Sequence, residues 1–298
     1  MAPSRSDTLL LGLRLAVIGL RPSDILARVN NPLLKLLRHC QACEVLRTMP
    51  SILRGTVRVS RWPDSATANP PFTHARERYS SDTDNPLKSY FDSVTEGRGI
   101  WKWTHYFDIY NRHFQKFVGK EVHVVEVGIY SGGSLDMWKA YFGPKCRIYG
   151  IDIEGACRAY ADERTQIFVG DQGDRGFWRE FRKQVPQVDI LVDDGSHVPE
   201  QQIVTLEEIL PHLRPGGVYL CEDVHGEHNR FAAYVYGLGQ ALNAIARNAG
   251  SEAVVPSNFQ KAISSIHQYP FVTVIERTEK LVAEFVAPKH GTEWQPFL

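Results

Sequence analysis

The stretches Asp189-Ile-Leu-Val-Asp-Asp-Gly-Ser-His197 and Gly217-Val-Tyr-Leu-Cys-Glu-Asp223 decide the fold of this chain. Each begins as a short apolar run, which is typical of a buried strand, and then reaches a pair of acids. Apolar residues at helical spacing over 198–213 predict an amphipathic helix between them, and Pro215-Gly216-Gly217 ends that helix. A right-handed crossover of this kind places both strand C-termini at one edge of a parallel sheet, where such sheets bind ligands. We therefore expect the acids to converge on one cleft.

A glycine-rich turn between two earlier strands predicts a nucleotide-binding unit. The strand Val122–Gly128 leads through Gly128-Ile-Tyr-Ser-Gly-Gly-Ser134 into a helix, and the next strand, Ile148–Asp152, ends in an acid. Glycines let the backbone approach a ligand, the helix N-terminus offers free N–H groups, and Asp152 can accept hydrogen bonds from ribose hydroxyls. The spacing is not GxGxxG, which disfavours a pyrophosphate ligand, and Glu126 indicates a different nucleoside cofactor.

The remaining pattern completes an α/β fold. We predict strands at Ile167–Gly170, near Ser264–His267 and at Phe271–Ile275, with helices over 174–184 and 227–249. The late pair of strands would close a doubly wound, mostly parallel seven-stranded sheet with one antiparallel member. Three regions are expected: an N-terminal helical accessory segment (1–61), a linker rich in Pro, Ser, Thr, Asn and Asp (62–86), and a catalytic domain (87–298).

Composition excludes several classes of partner. The 298 residues are 43% hydrophobic and 23% charged, as in an ordinary globular protein. Lys plus Arg equals Asp plus Glu at 34 each, so there is no global field to attract nucleic acid. Five cysteines, an odd number in a long chain, indicate reduced thiols and a cytoplasmic protein. We expect a small-molecule partner rather than a polyanion.

The N-terminal region leaves more than one interpretation open. Leu9–Leu20 is apolar but contains Arg14 and is shorter than the roughly 20 residues that span a bilayer. An amphipathic helix is the favoured reading, and a targeting peptide or a peripheral membrane contact is the alternative for this Arg-rich segment. Self-association of the chain into a homo-oligomer through this segment is a further hypothesis.

Aromatic residues are dense over 87–117. Tyr106, Tyr110, Phe114 and Phe117 follow helical spacing, which predicts that they pack against the sheet. Trp103 and His105, at the start of this helix, are candidates for a wall that faces the substrate. Three other histidines stay open: His225 and His228 could approach the acids or be solvated, and His267 could border the substrate pocket or lie in the core.

The ordered motifs resemble class I S-adenosylmethionine-dependent methyltransferases, and among them the metal-dependent O-methyltransferases of macrolide sugars. Cephalosporin-hydroxylase-like proteins share the motifs. The resemblance covers roughly residues 100–278, and the stretches that carry it are Val125–Ser134, Tyr149–Asp152, Val169–Gln172, Asp189–His197, Arg214–Gly217 and Glu222-Asp223. Each motif is weak alone, and their combined order is specific.

The resemblance implies a role for each matching residue. S-adenosylmethionine would be bound by Glu126, Gly128, Ser131, Asp152, Asp171 and Gln172, with Asp193 as an acid on the cofactor side. Mg²⁺ would be bound by Asp194, Glu222 and Asp223, and His197 would be the general base. The implied activity is transfer of a methyl group to a hydroxyl of a small molecule, favoured to be a sugar of a glycosylated natural product.

The chemistry of these side chains agrees with that assignment. Three carboxylates at one cleft repel one another unless a cation offsets their charge, and an all-oxygen set suits Mg²⁺ better than zinc. His197, three residues after Asp194, is expected on the first turn of the following helix, where it could take a proton near neutral pH. The alternatives are a hydroxylase-like relative, a catalytically silent binding or assembly protein, or acids that only cap a helix and form a solvated turn.

Overall fold

The computed structural model describes residues 49, 51–53, 85–226, 229–244, 254–288 and 290–292. The chain divides into two units, Met1–Glu77 and Arg78–Leu298, and the following description concerns the second. Nearly all of the accessory segment and of the linker lies outside the described residues, as does His228, so the domain boundaries stay predictions. Within the described ranges, no helix combines the length and apolar character needed to cross a membrane.

Helices and strands alternate along most of the second unit. The strands are β1 (Val122–Val127), β2 (Cys146–Asp152), β3 (Thr165–Val169), β4 (Val188–Asp193), β5 (Leu213–Cys221), β6 (Ile263–Tyr269) and β7 (Val272–Arg277). The α-helices are α1 (Pro86–Ser93), α2 (Tyr106–Phe114), α3 (Gly133–Phe142), α4 (Arg175–Gln184), α5 (Pro199–Ile209), α6 (Arg230–Leu242) and α7 (Asn258–Ala262). Short 3₁₀ segments lie at Gln115–Phe117, Gly155–Tyr160 and Leu210–His212.

These strands form one seven-stranded sheet in the order β3-β2-β1-β4-β5-β7-β6. The pairs among β1 to β5 are parallel, whereas β7 runs antiparallel to both β5 and β6. One strand thus opposes the other six in direction, as the sequence predicts. The doubly wound α/β fold is confirmed.

Alternation along the strands builds a core on each face of the sheet, because successive side chains of a strand point to opposite faces. On one face, Val124, Ile190 and Val218 join a cluster with aromatic residues of α2 and α3. On the other face, Val125 and Leu191 join a cluster with α4, α5 and α6. The resulting layers leave the carboxyl ends of the central strands open at one edge.

The predicted boundaries of three elements need correction. The helix after the first acids begins at Pro199 with Val198 as its N-cap, so His197 lies outside it and adopts a left-handed φ of 57°. Strand β5 begins at Leu213, four residues before the predicted Gly217. Leu213 pairs with Val188 of β4, and a register shift between Val188 and Ile190 accommodates the Pro-Gly-Gly segment within the strand. The predicted helix 227–249 is also too long: α6 begins at Arg230, after the N-cap Asn229, and ends at Leu242, before the C-cap Asn243.

Candidate active site

A cavity of about 800 Å³ lies where β1, β2, β4 and β5 end. Its walls are the glycine turn after β1, the ends of β2 and β3, the two acidic strand ends and the segment before α2. The predicted catalytic residue His197 lines it, and so do eight of the predicted cofactor and metal ligands, namely Gly128, Ser131, Asp152, Asp171, Gln172, Asp194, Glu222 and Asp223. Glu126 and Asp193 are fully buried and are not among the lining residues.

Gly128 lets the first turn lie directly against the end of β4. Its φ is +79°, and a Cβ at this position would come within 2.1 Å of the backbone oxygen of Asp194. Such a separation is far below any allowed contact, so a side chain here would push the two strand ends apart. The glycine therefore sets the distance between the turn that was predicted to hold the cofactor and the acids.

Asp152 holds the glycine turn in place. Its Oδ2 accepts hydrogen bonds from the N–H groups of Ile129 and Tyr130, both at 3.1 Å, and its Oδ1 accepts one from Glu154 at 3.0 Å. The carboxylate thus shapes the cavity through the backbone. Because a carboxylate oxygen can accept more than one bond, its predicted contact with ribose hydroxyls stays open.

Gln172 has its side chain fully engaged by the protein. The amide Nε2 donates to Asp193 Oδ1 at 2.9 Å and to Thr205 Oγ1 at 3.1 Å, and Oε1 accepts the N–H of Ser196 at 2.7 Å. The neighbouring Asp171 is exposed and accepts the N–H of Gly173 at 2.7 Å. Gln172 therefore braces the loop that carries His197, whereas Asp171 has more freedom to contact a ligand.

Asp193 is a buried acid with three donors around it. Gln172 Nε2, Tyr219 Oη and the N–H of Gly195 donate to its carboxylate at 2.9, 3.2 and 3.4 Å. Burial raises the pKa of Asp193 from 3.8 to about 7, against the lowering effect of these hydrogen bonds. The native state therefore holds this proton in a pH range where the unfolded chain has lost it.

We expect Asp193→Asn to stabilise the protein at pH 8. Since a raised folded pKa makes the native state bind more protons, the contribution of Asp193 to stability should fall as pH rises from about 4 to about 7 and then level off. The amide keeps an acceptor for Gln172 and carries no charge to bury, so the free energy of unfolding at pH 8 should rise by roughly 2 kcal/mol. Urea unfolding of both proteins at pH 5 and pH 8 measures this, and an unchanged pH slope would contradict it.

Four acids surround the inner end of the cavity; we call Glu126, Asp194, Glu222 and Asp223 the acid cluster. The ammonium of Lys102 lies among three of them, 2.6 Å from Asp194 Oδ2, 3.0 and 3.1 Å from the two oxygens of Glu222, and 3.6 Å from Glu126 Oε1. Burial alone would lower the pKa of Lys102, but these acids raise it well above its usual range. A protein cation therefore already offsets part of the negative charge.

Glu222 and Glu126 lie deeper than the other two acids. Glu222 is 1% exposed, and its Oε1 also accepts a hydrogen bond from Tyr110 Oη at 2.6 Å. Burial and the charge of Asp194 raise the pKa of Glu222, against the lowering effect of Lys102. Glu126 accepts from Ser134 Oγ at 2.7 Å, and its other oxygen has no hydrogen-bond donor. The roles predicted for both glutamates stay predictions.

Asp223 faces the mouth of the cavity. Its Oδ1 accepts hydrogen bonds from Trp103 Nε1 at 3.0 Å and Tyr106 Oη at 2.8 Å. Its Oδ2 lies 3.6 Å from His197 Nε2. Both Asp223 and His197 have a positive φ, 52° and 57°, which turns the two side chains toward each other across the ends of β4 and β5.

Asp194, His197 and Asp223 fit a divalent cation. Each offers one ligand atom, and these atoms lie within 4.8 Å of one another. The predicted third ligand was Glu222, whose oxygens line the same cavity but accept hydrogen bonds from Lys102. A carboxylate oxygen can bind a cation while it accepts such a bond, so the donor set of three carboxylates and one imidazole is compatible with Mg²⁺.

The other candidate histidines differ in whether they line the cavity. His225 lines the cavity, whereas His105 contacts the backbone oxygen of Pro270 at 3.0 Å and is not a lining residue. His267 lies elsewhere, with Nε2 2.9 Å from Ser265 Oγ and its ring tilted by 59° against that of His113. Trp103 lines the cavity, as expected of a wall residue.

The order of the seven strands is that of the class I methyltransferase fold, and the acidic cavity lies at the carboxyl edge of this sheet. In agreement, residues 125–224 match the family model described as a methyltransferase domain. A solved structure of MycE methyltransferase from the mycinamycin biosynthetic pathway, in complex with Mg and SAH, superposes with a TM-score of 0.54. It is 26% identical, over 65% of this chain and 54% of that one. The chain thus has the class I methyltransferase fold, and residues 125–224 are similar to a methyltransferase domain.

Its named relatives are O-methyltransferases. Demethylmacrocin O-methyltransferase of Streptomyces fradiae is 40% identical over 132 residues, which is 42% of this chain and 33% of the relative. A second relative, from Streptomyces olivaceus, is 8-demethyl-8-(2-methoxy-alpha-L-rhamnosyl)-tetracenomycin-C 3'-O-methyltransferase. It is 30% identical over 219 residues, which is 64% of this chain and 54% of the relative. The chain therefore spans about a third to a half of the length of the curated relatives it matches.

Sequence reasoning missed three residues at this site. Lys102 gave no signal beyond its place between Trp101 and Trp103, and its acid partners are 24 to 120 residues away along the chain. Tyr106 and Tyr110 were predicted only to pack, and they do join the core. Their hydroxyl groups, however, bond to Asp223 and Glu222. A buried tyrosine needs a partner for its hydroxyl, which was the available signal.

Proposed function

We propose that this chain is a Mg²⁺-dependent O-methyltransferase that transfers a methyl group from S-adenosylmethionine to a hydroxyl of a small molecule. The acceptor is proposed to be a sugar of a glycosylated natural product. One observation carries the proposal: Asp194, His197 and Asp223 gather in the same cavity that the glycine turn and Asp152 line. A cation site and a nucleoside site therefore share one space.

The cofactor half of the cavity is supported by its backbone. The turn from Gly128 to Ser131 leads into α3 through Gly132, whose φ of 74° bends the chain toward the helix. Free N–H groups at such a helix start favour a polar or anionic group such as the methionine carboxylate. The volume of about 800 Å³ lies in the range that holds a nucleoside cofactor together with a small acceptor.

The acid cluster supports the cation half. Asp194 and Asp223 would hold Mg²⁺, with Glu222 completing the set of protein ligands. When bound, Mg²⁺ supplies Lewis acidity that lowers the pKa of a coordinated hydroxyl. Lys102 and Tyr110 fix Glu222, and Trp103 and Tyr106 fix Asp223, so the oxygens are oriented before any ligand arrives.

His197 is suited to hold the proton that the acceptor hydroxyl loses. The residue lines the cavity beside the proposed metal ligands, and its Nε2 lies 3.6 Å from Asp223 Oδ2, so the ring is placed to accept a proton from a hydroxyl held there. As the O–H proton moves to His197, the acceptor oxygen forms a bond to the methyl carbon and the carbon–sulfur bond of the cofactor breaks. The products are the methyl ether, S-adenosylhomocysteine and protonated His197.

Aromatic side chains at the mouth support a sugar as the acceptor. Trp101, Trp103 and Tyr130 line the cavity with 88%, 52% and 76% of their surfaces exposed. Flat apolar rings can pack against the C–H face of a pyranose ring while its hydroxyls reach the acids. The name of the tetracenomycin-C relative also specifies a rhamnosyl compound.

Calorimetric titration with S-adenosylhomocysteine tests the cofactor assignment. We expect binding of this nucleoside both with Mg²⁺ and after EDTA treatment, and no binding of NAD⁺ because the turn does not suit a pyrophosphate. A separate Mg²⁺ titration should give one saturable isotherm. Failure to bind S-adenosylhomocysteine under either condition would overturn the proposed function, whereas binding would justify a screen of glycosylated acceptors by product mass.

A further inference from the structure

Lys102 is turned inward between two outward-facing tryptophans. It is 8% exposed, whereas Trp101 and Trp103 are 88% and 52% exposed. The three residues belong to the segment just before α2, which forms one wall of the cavity. Lys102 thus attaches this segment to the ends of the strands, while the rings of Trp101 and Trp103 remain open to the cavity.

The acids that Lys102 contacts come from three neighbouring strands. Glu126 is in β1, Asp194 follows β4 and Glu222 follows β5, and the ammonium lies within 3.6 Å of all three. Uncompensated carboxylates at low exposure repel one another and are costly to bury. A single buried ammonium that touches all three offsets this cost at the point where the strands end.

We propose that Lys102 is a built-in cation of the acid cluster, which holds Asp194 and Glu222 in place without a divalent ion and competes with such an ion for their oxygens. The competition rests on the proposed function, because that function supplies the divalent ion. The ammonium already contacts both oxygens of Glu222 and one of Asp194, the predicted ligands. Lys102 is therefore a positioning residue that sets how strongly the cluster binds Mg²⁺.

Replacement of Lys102 by methionine should have two opposite effects. In EDTA, the loss of the ammonium leaves buried carboxylates without a partner, so the melting temperature should fall by roughly 10 °C. With Mg²⁺, the cluster no longer has a competing positive charge, so the half-saturating Mg²⁺ concentration should fall by about tenfold or more. Mg²⁺ should therefore raise the melting temperature of the variant by more than that of the wild type.

Thermal melts in EDTA and across a Mg²⁺ series, together with Mg²⁺ calorimetry, measure both effects. Lys139→Met is the matched control, because the Lys139 ammonium also contacts two acids, Asp136 at 2.7 Å and Asp162 at 2.6 Å, away from the cavity. It should leave the Mg²⁺ midpoint unchanged. A Lys102→Met midpoint equal to that of the wild type would overturn the inference, since a merely structural lysine would change stability alone.

A second variant covers the case in which Lys102→Met does not fold. Lys102→Met combined with Glu222→Gln removes one positive and one negative charge, so it should recover most of the stability in EDTA. If the double variant also fails to fold, the inference is wrong. If the wild type binds no Mg²⁺, the metal part of the proposed function fails; Lys102→Met then supports the built-in cation by melting lower in EDTA and contradicts it by melting at the wild-type temperature.

Discussion

Asp194→Asn is expected to lower the rate of methyl transfer by about a thousandfold while the protein stays folded. A metal ion that stabilises transition-state charge contributes several kcal/mol, and each 1.4 kcal/mol is a factor of about ten in rate. The asparagine oxygen can still accept the bond that Lys102 now donates at 2.6 Å, so the cluster should keep its shape. The Mg²⁺ isotherm should disappear, and S-adenosylhomocysteine should still bind.

Asp92→Asn is a suitable control for that experiment. Asp92 is exposed on α1, where it pairs with Lys88, and it does not line the cavity. The control should have wild-type turnover and Mg²⁺ binding. Turnover by Asp194→Asn at the wild-type rate would remove Asp194 from the proposed metal site.

His197→Ala is expected to lower kcat by about a hundredfold to ten-thousandfold, the usual contribution of a general base. Since the proposal gives His197 the proton rather than the cation, Mg²⁺ affinity and S-adenosylhomocysteine affinity should stay near wild-type values. The pH–rate profile should also lose the limb that reports the base. These three measurements separate loss of a base from loss of a ligand.

A fall in the Mg²⁺ affinity of His197→Ala would contradict this expectation. His197 lies close enough to Asp194 and Asp223 to be a metal ligand itself, so a marked fall in Mg²⁺ affinity would reassign it to the cation. His225→Ala, which removes another histidine of the same cavity, should reduce kcat by less than about tenfold. An equal loss in both variants would show that the assay does not distinguish the base from its surroundings.

Local sequence patterns were enough to predict the sheet. Apolar runs such as Val188–Asp193 are bounded by turn residues and acids. The sequence therefore indicates both that each run is a strand and where the strand ends. The start of β5 was misplaced because Pro215 and two glycines normally end regular structure, and only pairing with β4 shows that the segment joins the sheet. The left-handed φ of His197 likewise depends on the loop that Gln172 braces.

The site was predictable where strand topology alone fixes it. Acids that follow adjacent parallel strands must meet, and Asp194, Glu222 and Asp223 do line one cavity. The repulsion among the acids predicts a cation but does not identify Lys102 as one. No local pattern connects residue 102 with acids 92 and 120 positions later. A contact of that span depends on the three-dimensional arrangement of β1, β4 and β5.

That span also determines when the site can form during folding. The ammonium of Lys102 closes loops of 92 and 120 residues with Asp194 and Glu222, and contacts of long sequence separation form slowly. A chain emerging from the ribosome lacks Glu222 until β5 has been made, so Lys102 meets its partners only after the parallel strands have assembled. The acid cluster is therefore complete only once β5 pairs with β4, so the capacity to bind a cation depends on assembly of the whole parallel part of the sheet.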